Sequence, residues 1–211
     1  MDVVRDAQGL TEEEFLAQYQ QRDYPKPSLT ADVALFRYAD DCWQVLLIRR
    51  GGHPFLGCWA LPGGFVGPGE DCDQAALREL FEETHVSGIP LEQYGLYSTP
   101  GRDPRAWTVS GAYFAKVDEG VHAIACDDAA DARWFALRLE DADAFAGGCA
   151  YNLYAEAPGI QLHTSFVLAA GVYEAPRAQV VSATGFAFDH ARLVADAFVR
   201  IAKVPAQAVS S

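Results

Sequence analysis

Residues 64–86 read Gly-Phe-Val-Gly-Pro-Gly-Glu-Asp-Cys-Asp-Gln-Ala-Ala-Leu-Arg-Glu-Leu-Phe-Glu-Glu-Thr-His-Val. A glycine-rich turn leads into a helix that the pattern predicts over Cys72–Thr84. At about 100° per residue, Glu82 and Glu83 lie about 60° and about 40° on either side of Glu79, so the three carboxylates share one face. Three like charges on one turn repel each other unless a cation neutralises them, and clustered carboxylate oxygens suit Mg²⁺ or Mn²⁺. The segment therefore predicts a metal site.

The opposite half of this helix is largely apolar and predicts the face that packs on a core. Its members are Leu77, Leu80, Phe81 and Thr84.

The same segment resembles the signature of the Nudix hydrolases. That signature runs Gly, five residues, Glu, seven residues, Arg-Glu, an aliphatic residue, any residue, Glu-Glu, any residue, Gly and an aliphatic residue. It is matched here by Gly64, Glu70, Arg78, Glu79, Leu80, Glu82, Glu83 and Val86. Many fixed positions at fixed spacing make this match far more specific than a lone glycine motif.

One fixed position departs from the family pattern, because His85 stands where glycine is usual. A left-handed residue often closes the last turn of a helix. Histidine enters that region more readily than a β-branched residue does. The departure therefore concerns the loop conformation and not the carboxylates.

The acidic side chains divide by spacing into two first-choice ligands and one further candidate. Glu79 and Glu83 are one turn apart and are the preferred metal ligands, while Glu82 is a third ligand or orients the attacking water. All three are candidate catalytic residues. For an arbitrary Glu-x-x-Glu-Glu the better interpretation would be a solvated helix face, but the flanking glycines and arginine favour the metal site.

Arg78 and the preceding turn complete the predicted site. Arg78 lies beside Glu79 and four residues before Glu82, so it can fix a carboxylate rotamer, and the resemblance implies such a positioning role in catalysis. The resemblance also implies that a main-chain carbonyl of Gly63 or Gly64 completes the metal shell. Glu70 precedes the helix and is as readily structural as catalytic.

The resemblance covers roughly residues 30–140 and implies an α/β fold, an α/β/α sandwich around a mixed β-sheet. We interpret residues 1–28 as an N-terminal helical segment, with Thr11 as its N-cap. By analogy with the ADP-ribose branch of the family, this segment serves dimerisation. Residues 29–204 form the Nudix domain, with a β-rich extension at about 150–187 and a C-terminal helix, and residues 205–211 form a flexible tail.

Apolar runs and turn residues place further elements along the chain. Strands are predicted at Ala31–Tyr38, Trp43–Ile48, Gln93–Ser98, Thr108–Val117 and Ala132–Leu137, a short helix at Glu140–Phe145, and a last helix capped by Asp189.

Two short segments carry a weaker resemblance to one branch of the family. Arg102-Asp-Pro-Arg105 and Phe188-Asp-His-Ala191 are similar to segments of ADP-ribose hydrolases and of the Nudix-related regulators of NAD metabolism. This similarity implies a small-molecule nucleotide substrate and, by analogy, a homodimer.

Candidate substrate-binding residues lie in polar loops. Arg102 and Arg105 can clamp phosphate, and Trp107 can stack on a base. The alternatives are that Arg102 pairs with Asp103 and that Trp107 begins a strand facing the core. Of two neighbouring arginines that end a strand, only one can face the phosphate, and we assign that role to Arg50.

The leading hypothesis is hydrolysis of a nucleoside diphosphate linked to another group, giving AMP and a sugar phosphate from ADP-ribose or a related nucleotide sugar. One alternative is an ADP-ribose-sensing transcriptional regulator, but such regulators carry a winged-helix domain beyond this point, where only about twenty residues remain. The other alternative is a Nudix hydrolase acting on nucleoside triphosphates, NADH or dinucleoside polyphosphates.

Composition narrows the class of protein. The 211 residues carry a formal net charge of −13, which argues against a nucleic-acid partner. The five cysteines are odd in number and favour a reducing compartment, and neither a signal sequence nor a membrane-spanning run is evident, so we expect a cytoplasmic protein. A general base outside the helix remains open between Asp127-Asp128 and Glu119, and the histidines are expected to be structural or exposed.

Overall fold

A computed structural model describes residues 4–19, 24–124, 129–142, 149–169 and 176–204. The elements in chain order are α1 (Glu12–Tyr19), β1 (Ser28–Ala39), β2 (Cys42–Arg50), β3 (Trp59–Ala60), β4 (Gly63–Phe65), α2 (Cys72–Thr84), β5 (Glu92–Tyr97), β6 (Thr108–Val117), β7 (Ala129–Ala142), β8 (Ala150–Ala157), β9 (Ile160–Ala169), β10 (Arg177–Thr184) and α3 (His190–Ile201).

All ten strands belong to one mixed sheet, as predicted. Its order is β10-β9-β8-β7-β2-β1-β6-β5, and the two short strands β3 and β4 pair with β2 and β1. The long central pairing of β1 with β6 is parallel, whereas its hairpin with β2 is antiparallel. The first half of β1 pairs with β4, in a register that places Asp32 beside Gly63. This pairing brings the glycine turn to the centre of the sheet.

Alternation along β1 separates two hydrophobic cores on the two faces of the sheet. Val33 and Leu35 pack in one core with Leu80 of α2. Ala34 and Phe36 pack in the other core, which also holds the buried stripe of α3. The helices α2 and α3 therefore cover opposite faces, which gives the predicted α/β/α sandwich.

Helix α2 begins and ends where the sequence predicts. The Asp71 side chain accepts from the Gln74 backbone N–H at 2.8 Å, and the Gln74 side chain accepts from the Asp71 N–H at 3.0 Å, which forms a capping box. His85 adopts the left-handed conformation, with φ 58°, and its N–H donates to the Phe81 carbonyl at 2.8 Å. Histidine thus fills the role that glycine has in the family pattern.

The buried face of α2 differs in part from the predicted one. Leu80 and Thr84 are buried, but Leu77 and Phe81 are exposed. The small residues Ala75 and Ala76 are fully buried instead and let the helix lie close to the sheet.

The β-rich segment predicted at about 150–187 contains β8, β9 and β10. The helix predicted at Glu140–Phe145 is wrong for its first three residues, because Glu140–Ala142 continue β7. These residues pair with Asn152, Tyr151 and Ala150 of β8, so the ladder outweighs local helix propensity. The remaining residues, 143–145, lie outside the described residues.

The N-terminal helix α1 has the predicted cap. The Glu14 N–H donates to the Thr11 hydroxyl at 3.2 Å, and the Thr11 N–H donates to the Glu14 carboxylate at 2.8 Å. No residue of α1 is buried. Within the described ranges, no helix has both the length and the apolar composition required to cross a membrane. The proposed tail at 205–211 lies outside the described residues.

Candidate active site

A cavity of about 730 Å³ opens where β4, α2 and the start of α3 meet. Its charged and aromatic lining comes from elements that are far apart in the chain: Asp32, Arg50, Phe65, Glu79, Glu83, Arg102, Asp103, Arg105, Phe188 and His190, together with the backbone of Gly63 and Gly64.

Glu83 points from α2 toward the glycine turn. Its carboxylate accepts a hydrogen bond from the Gly63 N–H at 2.9 Å. The pKa of Glu83 is raised to about 8, chiefly by burial and also by the nearby charges of Glu79 and Asp32, against the lowering effects of the Gly63 bond and Arg50. A carboxyl group so placed gains from a nearby cation.

Glu79 lies directly against Gly64. A Cβ atom at position 64 would be only 2.5 Å from the Glu79 carboxylate carbon and from one of its oxygens. Burial raises the pKa of Glu79 also, against hydrogen bonding and charge from Arg78. Glycine is therefore required at position 64 so that the carboxylate can occupy this place.

Arg78 binds three carboxylates, one that precedes α2 and two within it. Its guanidinium donates to Glu79 at 2.7 Å, to Glu82 at 2.9 Å and to Glu70 at 2.6 Å. A further bond, at 3.0 Å, reaches the Phe65 carbonyl. The hydrogen bonds from Arg78 and the Gly67 N–H lower the pKa of Glu70. Arg78 thus contacts the carboxylates that its spacing predicts, while its part in catalysis and the role of Glu70 stay predictions.

Glu82 does not line the cavity, since its carboxylate turns toward Arg78. Its role as a third ligand or water-orienting group stays a prediction.

Oxygen donors on the cavity wall fit a hard divalent cation. Glu79 and Glu83 both line the cavity. A positive charge between them would offset their mutual repulsion and the free-energy cost of burying their charges. In the described part of the chain, however, no three His, Cys, Asp or Glu side chains are grouped closely enough to hold an ion by themselves. A bound ion would therefore need further ligands besides Glu79 and Glu83, and the carbonyls of Gly63 and Gly64, like the Glu82 carboxylate, stay the predicted ones.

The raised pKa of Glu83 predicts how stability depends on pH in metal-free protein. A carboxyl whose folded pKa is about 8 rather than 4.5 stabilises the fold fully below pH 4.5. That contribution, on the order of a few kcal/mol, is lost as the pH rises toward 8. We expect the melting temperature of wild type in EDTA to fall relative to that of Glu83→Gln between pH 5 and pH 8.

Thermal denaturation of both proteins across this range measures the effect. Added Mg²⁺ at pH 8 should raise the melting temperature of wild type more than that of Glu83→Gln. Melting temperatures that run parallel at every pH, with or without Mg²⁺, would contradict it.

A buried polar network forms the floor of the cavity beside the carboxylates. The Ser110 hydroxyl donates to Asp32, and Nε2 of His190 lies 3.6 Å from the other Asp32 oxygen. Nδ1 of His190 accepts from the Leu61 N–H at 2.9 Å, so Nε2 carries the proton of the neutral ring. Burial lowers the pKa of His190 and keeps the ring neutral.

Sequence reasoning assigned no role to Asp32 or Ser110. The signal that was available is the position of Asp32 as the lone acidic residue in an apolar strand. His190 was expected to be structural, and its bond to Leu61 agrees with that.

Three arginines line the cavity, and two of them pair with carboxylates, Arg102 with the partly buried Asp189 and Arg105 with the buried Asp103. Arg102 donates to Asp189 at 3.0 and 2.6 Å rather than to Asp103, the partner considered from sequence. Arg105 is the residue that pairs with Asp103, at 2.7 Å. Asp189 occupies the N-cap position of α3 but makes no side-chain cap bond, because its carboxylate is engaged with Arg102.

Arg50 faces the cavity and donates to the Pro54 carbonyl at 2.8 Å, whereas Arg49 donates to the Gly57 carbonyl at 3.2 Å. Only Arg50 of this pair lines the cavity, as strand alternation predicts.

Trp107 is not part of the cavity lining. It precedes β6, and 57% of its surface is exposed, so it neither stacks at the site nor faces the core. Glu119, one candidate general base, also lies outside the lining, and the other candidates, Asp127 and Asp128, fall outside the described residues.

Comparison with known proteins identifies a matching family model and similar curated sequences. A model described as the NUDIX domain matches residues 26–151. The ADPR responsive transcriptional repressor NtrR of Acinetobacter baylyi is 43% identical over 110 residues, which cover 51% of this chain and 44% of that protein. The ADP-ribose pyrophosphatase of Methanocaldococcus jannaschii is 44% identical over 94 residues, which cover 44% and 55%. The chain thus spans about half the length of each of these relatives.

Solved structures extend the similarity beyond the matched domain. A MutT/nudix family protein from Enterococcus faecalis superposes with a TM-score of 0.69 at 35% identity, covering 92% of this chain and 70% of that one. The NUDIX domain of Shewanella oneidensis NrtR complexed with ADP ribose superposes with a TM-score of 0.55 at 38% identity, covering 59% and 82%.

Proposed function

Because this chain belongs to the Nudix family, we propose that it is a divalent-metal-dependent pyrophosphohydrolase that cleaves ADP-ribose, or a related nucleotide sugar, to AMP and a sugar phosphate. The observation that carries the proposal is one cavity that is lined both by Glu79 and Glu83 and by three arginines, Arg50, Arg102 and Arg105. Carboxylates and guanidinium groups together suit a metal-bound diphosphate. The similarity to an ADP-ribose pyrophosphatase supports the substrate class.

Glu79 and Glu83 would hold Mg²⁺ or Mn²⁺, with Glu82 and the carbonyls of Gly63 and Gly64 as further ligands. When bound, such metals lower the pKa of a coordinated water and neutralise phosphoryl oxygens. Arg78 keeps Glu79 in place before any ion arrives, and this preorganisation lowers the cost of forming the site.

The arginines on the facing wall orient the diphosphate. Asp189 and Asp103 fix the guanidinium groups of Arg102 and Arg105, so little side-chain entropy is lost when substrate binds. Their positive charges attract the phosphates and oppose the acidity of the rest of the chain.

The direct test is incubation with ADP-ribose and Mg²⁺, followed by detection of AMP and ribose 5-phosphate. Parallel reactions with ATP, NADH and a dinucleoside polyphosphate define the substrate class, and Mn²⁺ and EDTA reactions define the metal requirement. We expect turnover of ADP-ribose to exceed that of ATP and to stop in EDTA. No turnover of any diphosphate with either metal would refute the proposal.

A second candidate function is ADP-ribose sensing in transcriptional control, favoured by the 43% identity to a repressor described as ADPR responsive. The net charge of −13 argues against DNA binding by this chain. Binding of ADP-ribose without turnover, together with salt-sensitive binding to a promoter fragment, would favour the sensor over the hydrolase.

We also place the protein in the cytoplasm as a homodimer. The described part of the chain contains no disulfide bond, which suits a reducing compartment. Phe15, Leu16 and Tyr19 of α1 are each more than 40% exposed and offer an apolar face for a second copy. Light scattering of the purified protein measures its mass, and a monomer at micromolar concentration would contradict the assembly.

A further inference from the structure

A group of aromatic rings forms part of the cavity lining. Phe65 and Phe188 both line it, and the Phe55 ring lies 4.8 Å from that of Phe188, centroid to centroid. Phe65 is 46% exposed despite its large apolar ring. An exposed phenyl ring on a cavity wall is available for contact with a ligand.

A guanidinium group connects these rings. The Arg105 Cζ atom lies 5.0 Å from the centroid of Phe65 and 5.3 Å from that of Phe188. A second guanidinium group contacts Phe188, since the Arg50 Cζ atom lies 4.9 Å from the centroid of that ring. Flat cationic groups and phenyl rings alternate here, and both kinds of surface stack on planar heteroaromatic rings.

Asp103 fixes Arg105 in this place. The carboxylate accepts from both Nε and a terminal nitrogen of Arg105 and also from its backbone N–H, at 2.9 Å. Asp103 is itself buried, and its pairing with Arg105 offsets part of the cost of burying its charge. The guanidinium plane therefore belongs to a rigid wall.

Phe65 directly follows, in β4, the glycine that faces Glu79. A Cβ atom at Gly64 would point at Glu79, and side chains alternate along a strand, so Phe65 projects to the opposite side of β4. Adjacent Cα atoms are about 3.8 Å apart, which keeps the ring and the carboxylate within the span of one nucleotide.

We propose that Phe65, Phe188 and Arg105 form the subsite for the nucleobase of the substrate and hold it by stacking. This inference rests on the proposed function and deepens it. The subsite takes over the role that the sequence suggested for Trp107. Stacking contacts the face of a base and not its hydrogen-bonding edge, so we expect the subsite to bind adenine and guanine with similar affinity.

Binding of AMP, measured by calorimetry without any turnover, tests the subsite. Leucine variants Phe65→Leu and Phe188→Leu keep apolar bulk and remove the flat ring. We expect each to weaken AMP binding about fivefold or more, because stacking on an aromatic side chain is worth about 1–3 kcal/mol. Binding of ribose 5-phosphate, which has no base, should not change.

Two matched variants serve as controls. Phe65→Trp retains a flat ring and should retain AMP affinity within about twofold. Tyr38→Ala removes an exposed aromatic ring outside the cavity lining and should leave AMP binding unchanged.

The outcomes separate this inference from the proposed function. The subsite is refuted if the leucine variants bind AMP as tightly as wild type does, or if wild type binds no AMP. It is also refuted if the variants lose as much affinity for ribose 5-phosphate as for AMP. Wild type that prefers AMP over GMP by more than about a hundredfold would also overturn it, since stacking alone gives no such preference. Hydrolysis of ADP-ribose, measured separately, decides the proposed function whichever way these results fall.

Discussion

Glu83→Gln is expected to lower kcat/KM for ADP-ribose by about 10²–10³-fold, the range seen when one preorganised polar group is removed from a catalytic site. The amide has the same shape and still accepts from the Gly63 N–H, so the backbone of the turn remains in place. The variant lacks the negative charge that would bind a divalent cation. The loss should therefore appear with only a small change in fold.

The matched control is Glu92→Gln, an exposed carboxylate at the start of β5, which should retain full activity. Steady-state kinetics with increasing Mg²⁺ add a second measure, because a weakened metal site needs more Mg²⁺ for half-maximal rate. Undiminished activity in Glu83→Gln would remove Glu83 from the metal site. Glu82→Gln, assayed alongside, decides whether Glu82 joins the site once metal is present.

Gly64→Ala is expected to reduce activity as severely as Glu83→Gln while leaving the protein folded. The new methyl group would meet the end of the Glu79 side chain, which can rotate away at small cost. The displaced carboxylate would then lose its place on the cavity wall and its bond to Arg78. Misplacing one such group by about an ångström is enough for a loss of about 10²-fold.

Gly63→Ala provides the contrasting case. Its Cβ would clash with the Ala31 backbone oxygen, and Gly63 has φ 154°, so this substitution should lower the melting temperature as well as the activity. Gly120→Ala, where the new methyl meets nothing within 4 Å, is the neutral control. Full activity in Gly64→Ala, or unfolding equal to that of Gly63→Ala, would contradict this account.

The local features of the site were predictable from sequence because short-range rules govern them. The bounds of α2, the left-handed His85 and the position of Arg78 among the carboxylates follow from spacing and capping within about twenty residues. The hairpin of β1 and β2 follows from two apolar runs separated by Asp40-Asp41, both of which have positive φ.

The partners of the substrate-side residues were not predictable, because they come from distant parts of the chain. Arg102 lies beside Asp103 in sequence, yet it pairs with Asp189, 87 residues away. Trp107 has the right chemistry for base stacking, but the path of its loop leaves it exposed, and Phe65 and Phe188 line the cavity instead. Likewise, strand pairing with β8 determined the structure of Glu140–Ala142.

The bond between His190 and Leu61 joins positions 129 residues apart. Phe188 and Asp189 directly precede α3, the last helix of the described residues, and His190 begins it, whereas the acidic helix is complete by Thr84. During synthesis on the ribosome, a nascent chain that already carries every signature residue has only one wall of the cavity. A protein built in this order completes the cavity only after α3 has left the exit tunnel and docked.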